Sequence, residues 1–380
     1  GRFLYEEHEK RHNLWLQRDE LFLSRYSKRQ LEFITTFMTN FNRYLAGEPD
    51  FMHYGNTFKG MNLAARIYFG CGDLQLGRYI RDYTLHAITL PDWFWLGQET
   101  LVPGWEKRKN GSLITASLAR TFTEILVFAG DVFSPQEKAR VEAALRKNCH
   151  ESCLRFVKNF PRLNNNFASV IAGGLLVTSK YFGDANAQQA ALSLLRHYVQ
   201  NALEEDGSYG EGLHYFSYGF NSLYPSFQLM TPEERRQVFG KTPLRHSAGW
   251  LACHYYFRRV MPGQRQGYKA AFGDSNFFSV VPQRLLKMLA ELYGGELPGF
   301  LAGDGEGEVP DILKKQPLVQ AFANGESFMR SSWTGEGIVV AAQIHHPVRA
   351  ASHRRMESGS FSLAINGFPV VMHAGNTNLY

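Results

Sequence analysis

Residues 206–218 read D-G-S-Y-G-E-G-L-H-Y-F-S-Y, which gathers two acids, a histidine and three tyrosines into thirteen positions. Asp206-Gly207 is a turn-forming pair, and an apolar pattern of helical period follows it, predicting a helix over about 214–230. On a helix Glu211 and Tyr215 are four apart and Tyr215 and Tyr218 three apart, so the three share a face. Phenolic hydroxyls and an imidazole at one turn suit proton transfer on a polar, sugar-like substrate. They also suit the amphipathic start of a helix whose tyrosines line a half-buried groove. The stretch alone does not choose, and the rest of the chain has to decide.

Upstream of it the sequence is helical throughout. Residues 12–46 carry Leu14, Leu21, Phe22, Tyr26, Phe33 and Phe37 at mostly three- and four-residue spacing, and further patterns cover about 58–88, 111–129 and 165–182. Pro91 to Trp95 is an aromatic loop. Ser134-Pro135-Gln136-Glu137 has the form of a capping box with proline in the first turn, opening a helix that runs towards Val157. Helical patterns continue over 186–203, 243–259 and 282–293. They come in pairs joined by short loops, without a detectable sequence repeat, and periodicity does not say whether such an array stacks openly or closes on itself.

Downstream of Gly294 to Pro310, which is rich in glycine and proline, the composition changes. Residues 327–330, 337–342 and 360–365 read as strands, Asn366-Gly367 is a hairpin signal, and 369–372 returns as the next strand. The expected fold class is α+β and multidomain, with a helical domain over 1–305 and the start of an antiparallel β domain over 315–380. The chain begins at Gly1 and ends at Tyr380 just after a strand-like run, the pattern of a chain cut inside a domain.

The 380 residues are 44% hydrophobic and 20% charged, a globular composition that excludes a disordered chain. The 29 Phe and 18 Tyr suit sugar-binding surfaces, but helical cores take most such residues. A net charge of +6 comes without a dense basic block, since Arg235, Arg236, Arg258, Arg259 and Lys107 to Lys109 are scattered. That balance is compatible with nucleic acid and equally well explained by an anionic polymer in a positively biased cleft; the partner expected is the anionic polymer, with no nucleic acid. No run reaches eighteen apolar residues, so no membrane helix is expected. Cys71, Cys149, Cys153 and Cys253 form no CxxC pair and read as core packing.

Two further segments carry chemistry. Asn164-Asn165-Asn166 stands before a helix that contains Gly173-Gly174. Asn164 or Asn165 reads as an N-cap, whereas Asn166 sits at the helix mouth, where an amide and free N–H groups can hold a carboxylate. The other segment, S-H-R-R-M-E-S-G-S-F over 352–361, brings His353, Arg354, Arg355 and Glu357 to the start of a strand. Arginine pairs bidentately with a substrate carboxylate or with Glu357; the plainer reading is a solvated charged loop. His214 could partner a tyrosine, though a lone histidine is more often structural. His345 and His346 are adjacent on a strand and point to opposite faces, so they are no joint metal site.

Together these segments resemble the polysaccharide lyases that join an (α/α) toroid to an antiparallel β-sandwich, the heparinase II/III-like group and its hyaluronate and chondroitin lyase relatives. Asn166-Phe167 with Gly173-Gly174-Leu175 resembles the group's Asn-Trp…Gly-Gly-Leu helix. Residues 206–219 resemble its Asp-Gly-Ser-Tyr-x-Glu-Gly-Pro-x-Tyr-x-x-Tyr-Gly stretch, and Gly273-Asp274-Ser275 is similar to a short motif between the two domains. Residues 352–363 resemble Ser-His-x-His-x-Asp-x-Gly-Ser-Phe at the start of the β domain. The likeness covers most of 90–380 and implies a toroid followed by a β-sandwich.

Two departures qualify it. Where some members have a zinc-ligating second histidine this chain has Arg355, followed by Glu357 in place of aspartate; arginine does not ligate zinc, so no metal or other cofactor is expected. An Arg355–Glu357 interaction in its place is similar to the metal-free arrangement of hyaluronate-type lyases. Phe167 stands where some members place a histidine, which leaves His214 or His353 to partner a tyrosine.

The resemblance implies β-elimination at a uronic acid in an anionic polysaccharide or oligosaccharide. Asn166 and an arginine (Arg354 or Arg355) would neutralise the carboxylate, and Tyr215 would act as acid, base or both with His353 or His214. Glu211, Glu357, Tyr218 and Asn165 would support substrate binding. A free tyrosine ionises near pH 10, so a basic role needs donors that favour the phenolate, whereas an acidic role needs none. Secretion or a periplasmic location follows from the substrate class. The rival readings are a uronate epimerase, a glycoside hydrolase using carboxylates such as Asp206 and Glu211, and a non-catalytic glycan-binding protein.

Overall fold

The structure, a computed structural model, describes residues 61–89, 111–257, 268–273, 275, 281–302, 309–344, 348–349 and 358–372. The helix read over 12–46, the aromatic loop at 91–95, His345-His346 and the segment from Ser352 to Glu357 lie outside these residues. The chain forms two compact units, one of residues 1–159 with 174–191 and one of 160–173 with 192–380.

In the first unit α1 (Met61–Cys71) and α2 (Leu74–Ala87) divide the single helical pattern read over 58–88. The break is chemical: Asp73 caps α2, its Oδ1 accepting from the Gln75 and Leu76 amides at 2.8 and 3.1 Å. α3 (Leu113–Phe128) and α4 (Pro135–Leu145) follow, and Tyr68, Ile80, Phe122, Ile125, Val141 and Leu145 close a common core. The capping box at Ser134 and Glu137 is formed in both directions. Arg81 reaches the same Glu137 carboxylate at 2.5 Å and, with the Ser134 amide, holds its pKa down to about 2.

The helix opened at Ser134 passes through a π turn at Arg146–His150 into α5 (Glu151–Asn159). The wider turn delivers His150 to Asp184 and to Thr178, each at 3.1 Å. Cys149 and Cys153 are buried free thiols, and burial pushes the Cys153 thiol up to about 12. α6 (Asn166–Phe182) and α7 (Ala185–Asn201) complete the helical stretch expected there.

In the second unit the pattern read over 214–230 becomes α8 (Gly212–Asn221) and α9 (Tyr224–Leu229), with Pro225 in the first turn of α9, where its missing N–H costs nothing. α10 (Pro232–Phe239) was not expected, although Thr231 and Glu234 form a capping box like that of α4. A 3-10 turn at Pro243–His246 leads into α11 (Ser247–His254), which stops well short of the 259 expected because Tyr255 bridges to Lys269. α12 (Gln283–Tyr293) matches its reading. α13 (Glu296–Ala302) lies inside the segment read as glycine- and proline-rich punctuation, and α14 (Asp311–Lys314) follows.

The sheet is an antiparallel meander in the order β1 (Val319–Ala321), β2 (Glu326–Arg330), β3 (Ile338–Gln343), β4 (Ser360–Ile365) and β5 (Phe368–Val371). Asn366-Gly367 turns β4 into β5 with both residues left-handed, as a tight hairpin requires. Strand alternation puts Glu326, Phe328 and Arg330 on the buried face of β2, so this strand carries two charges into the interior.

Candidate active site

The stretch at 206–218 folds as a turn followed by a helix, with its polar residues divided between support and exposure. Asp206 is wholly committed to structure. Its Oδ1 accepts from the Ser208 amide and hydroxyl at 3.1 and 2.7 Å, and its Oδ2 accepts from the Ala323 amide at 2.6 Å, tying the turn to the segment between β1 and β2. Glu211 is 1% exposed and accepts from the Tyr209 hydroxyl at 3.2 Å, so it lies beneath the helix start. Burial, followed by the neighbouring Tyr198 and Glu211, raises the Tyr209 pKa well above that of a free phenol.

On α8 the buried face is Leu213, Phe216 and Phe220, with the Phe216 ring 4.7 Å from Phe220 and 5.1 Å from Trp250. Each such ring buried is worth about 1.5–3 kcal/mol, which fixes the rotation of the helix about its axis. The opposite stripe therefore carries His214 exposed, Tyr215 half-buried and Tyr218 exposed, the last at 41%. His214 stands edge-on to Tyr215 with ring centres 5.4 Å apart.

Two contacts from distant sequence hold this helix. Gly212, its first residue, has φ +81°, and a Cβ there would meet the Phe272 carbonyl oxygen at 2.9 Å and Ser275 Oγ at 3.1 Å. Only glycine allows that approach. Ser275 uses it: its hydroxyl accepts the His214 amide at 2.8 Å, capping the helix from another segment, because Glu211 at the N-cap position makes no side-chain cap. We expect Ser275→Ala to leave a helix N–H without a partner and to cost about 1 kcal/mol. In thermal unfolding that is a fall of about 2–4 °C. An unchanged melting temperature would show that the amide has another acceptor.

The second contact joins α6 to α8. Gly219, one turn beyond Tyr215, has no Cβ, and the position of one would lie 2.5 Å from the buried Tyr198 hydroxyl and 3.6 Å from Asn166 Cβ. Asn166, at the first position of α6, thus packs against the helix that carries Tyr215, and Ser222 Oγ meets Ser169 Oγ at 3.2 Å one turn further along. Asn166 is 3% exposed, and no hydrogen bond among the described residues engages its side-chain amide. Asn165 takes the capping role, its Oδ1 accepting the Phe167 amide at 3.1 Å. Asn164 instead donates to the Arg349 carbonyl at 3.0 Å.

Arg349 was not singled out in the sequence. It lies three residues before Ser352 and is fastened to the approach of the 206–218 turn. Its amide donates to Glu204 at 2.7 Å and its guanidinium to the Leu203 carbonyl at 3.1 Å and to Glu205 at 2.6 Å. The chain leading to His353, Arg354, Arg355 and Glu357 therefore starts from beside Asn164, and those four residues themselves lie outside the described ones. Among the described residues no three His, Cys, Asp or Glu side chains are grouped as a metal would require.

The chain matches no family model and no curated protein. Among solved structures it is similar to a heparinase III, with a TM-score of 0.60 and 18% identity over 84% of this chain and 49% of that one. A second heparinase III aligns with a TM-score of 0.55 at 14% identity over 85% and 52% of the two chains. A heparan sulfate lyase from Pedobacter heparinus aligns with a TM-score of 0.54 at 17% identity over 84% and 48%. The fold of those lyase structures is the fold of this chain, which spans about half their length. No helix among the described residues is long and apolar enough to cross a membrane.

Proposed function

We propose that this chain acts as a polysaccharide lyase on a uronate-containing anionic polysaccharide, a glycosaminoglycan being the class named for its structural neighbours. The observation that carries the proposal is the placement of buried Asn166, its amide unengaged among the described residues, with its Cβ against α8, the helix whose open stripe bears Tyr215. Asn166, with Arg354 or Arg355, would neutralise the uronate carboxylate and so favour the charge that develops when C5 loses its proton. A base removes that proton, the C4–O bond breaks as the C4=C5 double bond forms, and an acid protonates the departing oxygen. Tyr215 fills one or both of these roles, with His353 or His214 as partner. A secreted or periplasmic location follows from such a substrate.

Hydrolysis is less well supported. It needs two carboxylates flanking a bond, yet both Asp206 oxygens bind turn hydrogens and Glu211 is buried. The test is incubation with a panel of uronate polymers. The proposal expects growth of the ultraviolet absorbance of an unsaturated uronate together with new reducing ends. Reducing ends without that absorbance would indicate a hydrolase, C5 inversion without chain scission an epimerase, and binding without either change a glycan-binding protein.

A further inference from the structure

The second unit holds two cavities that none of Asn166, Glu211, His214, Tyr215 or Tyr218 lines, of about 440 and 300 Å³. Arg245 and Tyr293 line both, so the two are neighbours at that pair. The smaller is strongly basic: Arg235, Arg236, Lys241 and Arg245 face a single carboxylate, Glu291. Arg235 takes Glu291 for itself, and is further held by the Phe227 carbonyl at 3.1 Å and by stacking 3.9 Å from the Phe227 ring centre. Arg236 pairs with Glu233. Lys241 and Arg245 are exposed, and neither has a carboxylate partner among the described residues.

Lys241 also sits where the backbone disfavours it. Its φ is +49°, a left-handed conformation that costs a residue with a Cβ about 1–2 kcal/mol. Among the described residues no carboxylate meets its ammonium, and Lys241 lines the smaller cavity. The larger cavity is of another character. Gln316 and Gln320 supply amides, Phe322 an aromatic surface, and its one acid, Asp206, is already satisfied. Amides and aromatic surface on one side of Arg245, and uncompensated cations on the other, suit a sugar chain that carries negative groups.

We propose that this double cavity is a second binding groove for the anionic oligosaccharide, with Lys241 and Arg245 holding its sulfate or carboxylate groups and the larger cavity its sugar rings. The groove rests on the proposed substrate class but not on cleavage. It would hold a part of the polymer away from the reacting sugar, raising affinity for long chains over short ones.

The test measures binding of a size-defined heparin oligosaccharide by calorimetry, in the Tyr215→Phe background so that nothing is cut. Adding Lys241→Ala with Arg245→Ala is expected to weaken binding about tenfold and to flatten its dependence on salt. Lys241→Arg with Arg245→Lys should restore most of the loss. Arg140→Ala with Lys147→Ala, two exposed cations of the other unit, should change affinity less than twofold. Equal losses in the two alanine pairs would mean diffuse charge attraction and would overturn the groove, as would unchanged binding in the first. Inorganic sulfate competing as strongly as the oligosaccharide would reduce it to a simple anion site. If wild type yields no unsaturated product while the binding pattern holds, the lyase reading falls and the groove stands.

Discussion

Tyr215→Phe should abolish turnover of the responsive polymer, lowering kcat by about 10²–10⁴-fold, the usual contribution of a positioned acid or base. KM should move little, because the ring remains and only the hydroxyl is lost. The fold should be untouched as well. The buried face of α8 is Leu213, Phe216 and Phe220, and Tyr215 is half-buried on the opposite stripe. A melting temperature within about 2 °C of wild type would separate loss of chemistry from loss of structure, since about 1 kcal/mol moves it by that much or more. Tyr218→Phe is the internal control. It shares the stripe and is more exposed, and the proposal gives it contact with substrate but no proton to move. An effect below tenfold is expected there. Full activity in Tyr215→Phe, or a loss in Tyr218→Phe of the same size, would remove Tyr215 from the role assigned to it.

The features that sequence alone made legible are those whose cause lies within a few residues. Ser134 and Glu137 satisfy each other's amides three positions apart, and Asn366-Gly367 needs only its own two φ angles. The stripe on α8 follows from spacing, because the same periodicity that buries Phe216 and Phe220 must expose Tyr215 and Tyr218. By contrast, β1 is three residues long with an open face, too short for alternation to register, and α10 follows a capping box that was there to be read at Thr231. Arg349 was out of reach for a different reason, and so was the part played by Ser275, which stood out only as the end of Gly273-Asp274-Ser275. A serine and an arginine are common residue types, and what distinguishes these two is a partner 61 residues away for one and about 145 away for the other. The site's scaffold is therefore less visible in the sequence than the residues it carries.

The least visible feature should have the largest effect on stability. Arg330 ends, and Glu326 just precedes, the stretch that reads as an ordinary strand over 327–330, yet both are buried. Glu326 Oε2 accepts from Trp250 Nε1 at 2.7 Å and lies 3.1 Å from His254 Nε2, while His254 Nδ1 lies 2.8 Å from the Ala270 carbonyl oxygen. A carbonyl only accepts, so Nδ1 carries a proton, and Nε2 is left facing the carboxylate in an interior sealed from water. Burial opposes the Glu326 charge, but His254, Asn324 and Trp250 outweigh it and hold the pKa below the ordinary carboxylate range. Arg330 donates to the Cys253 carbonyl at 2.7 Å and stacks 4.0 Å from the Trp333 ring centre, and burial brings its pKa down to about 10.

Glu326→Gln removes the carboxylate of this buried pair, to which Trp250 also donates, and should cost about 3–5 kcal/mol, the usual result of removing one partner of a buried pair. By calorimetry near neutral pH that is a fall of about 10 °C or more. The pH dependence has a definite sign. A carboxyl whose folded pKa lies below its unfolded value contributes its full stability above the unfolded value, about 4.3 for glutamate, and loses it as pH falls through the folded pKa. The gap between wild type and Glu326→Gln should therefore be widest above about pH 5 and narrow in acid. His254→Gln with Glu326→Gln, which removes both partners, should lose less than the sum of the single variants. Additive losses would mean that the two groups are not coupled in the folded chain, and a gap that does not change with pH would mean that Glu326 is not held as a carboxylate there.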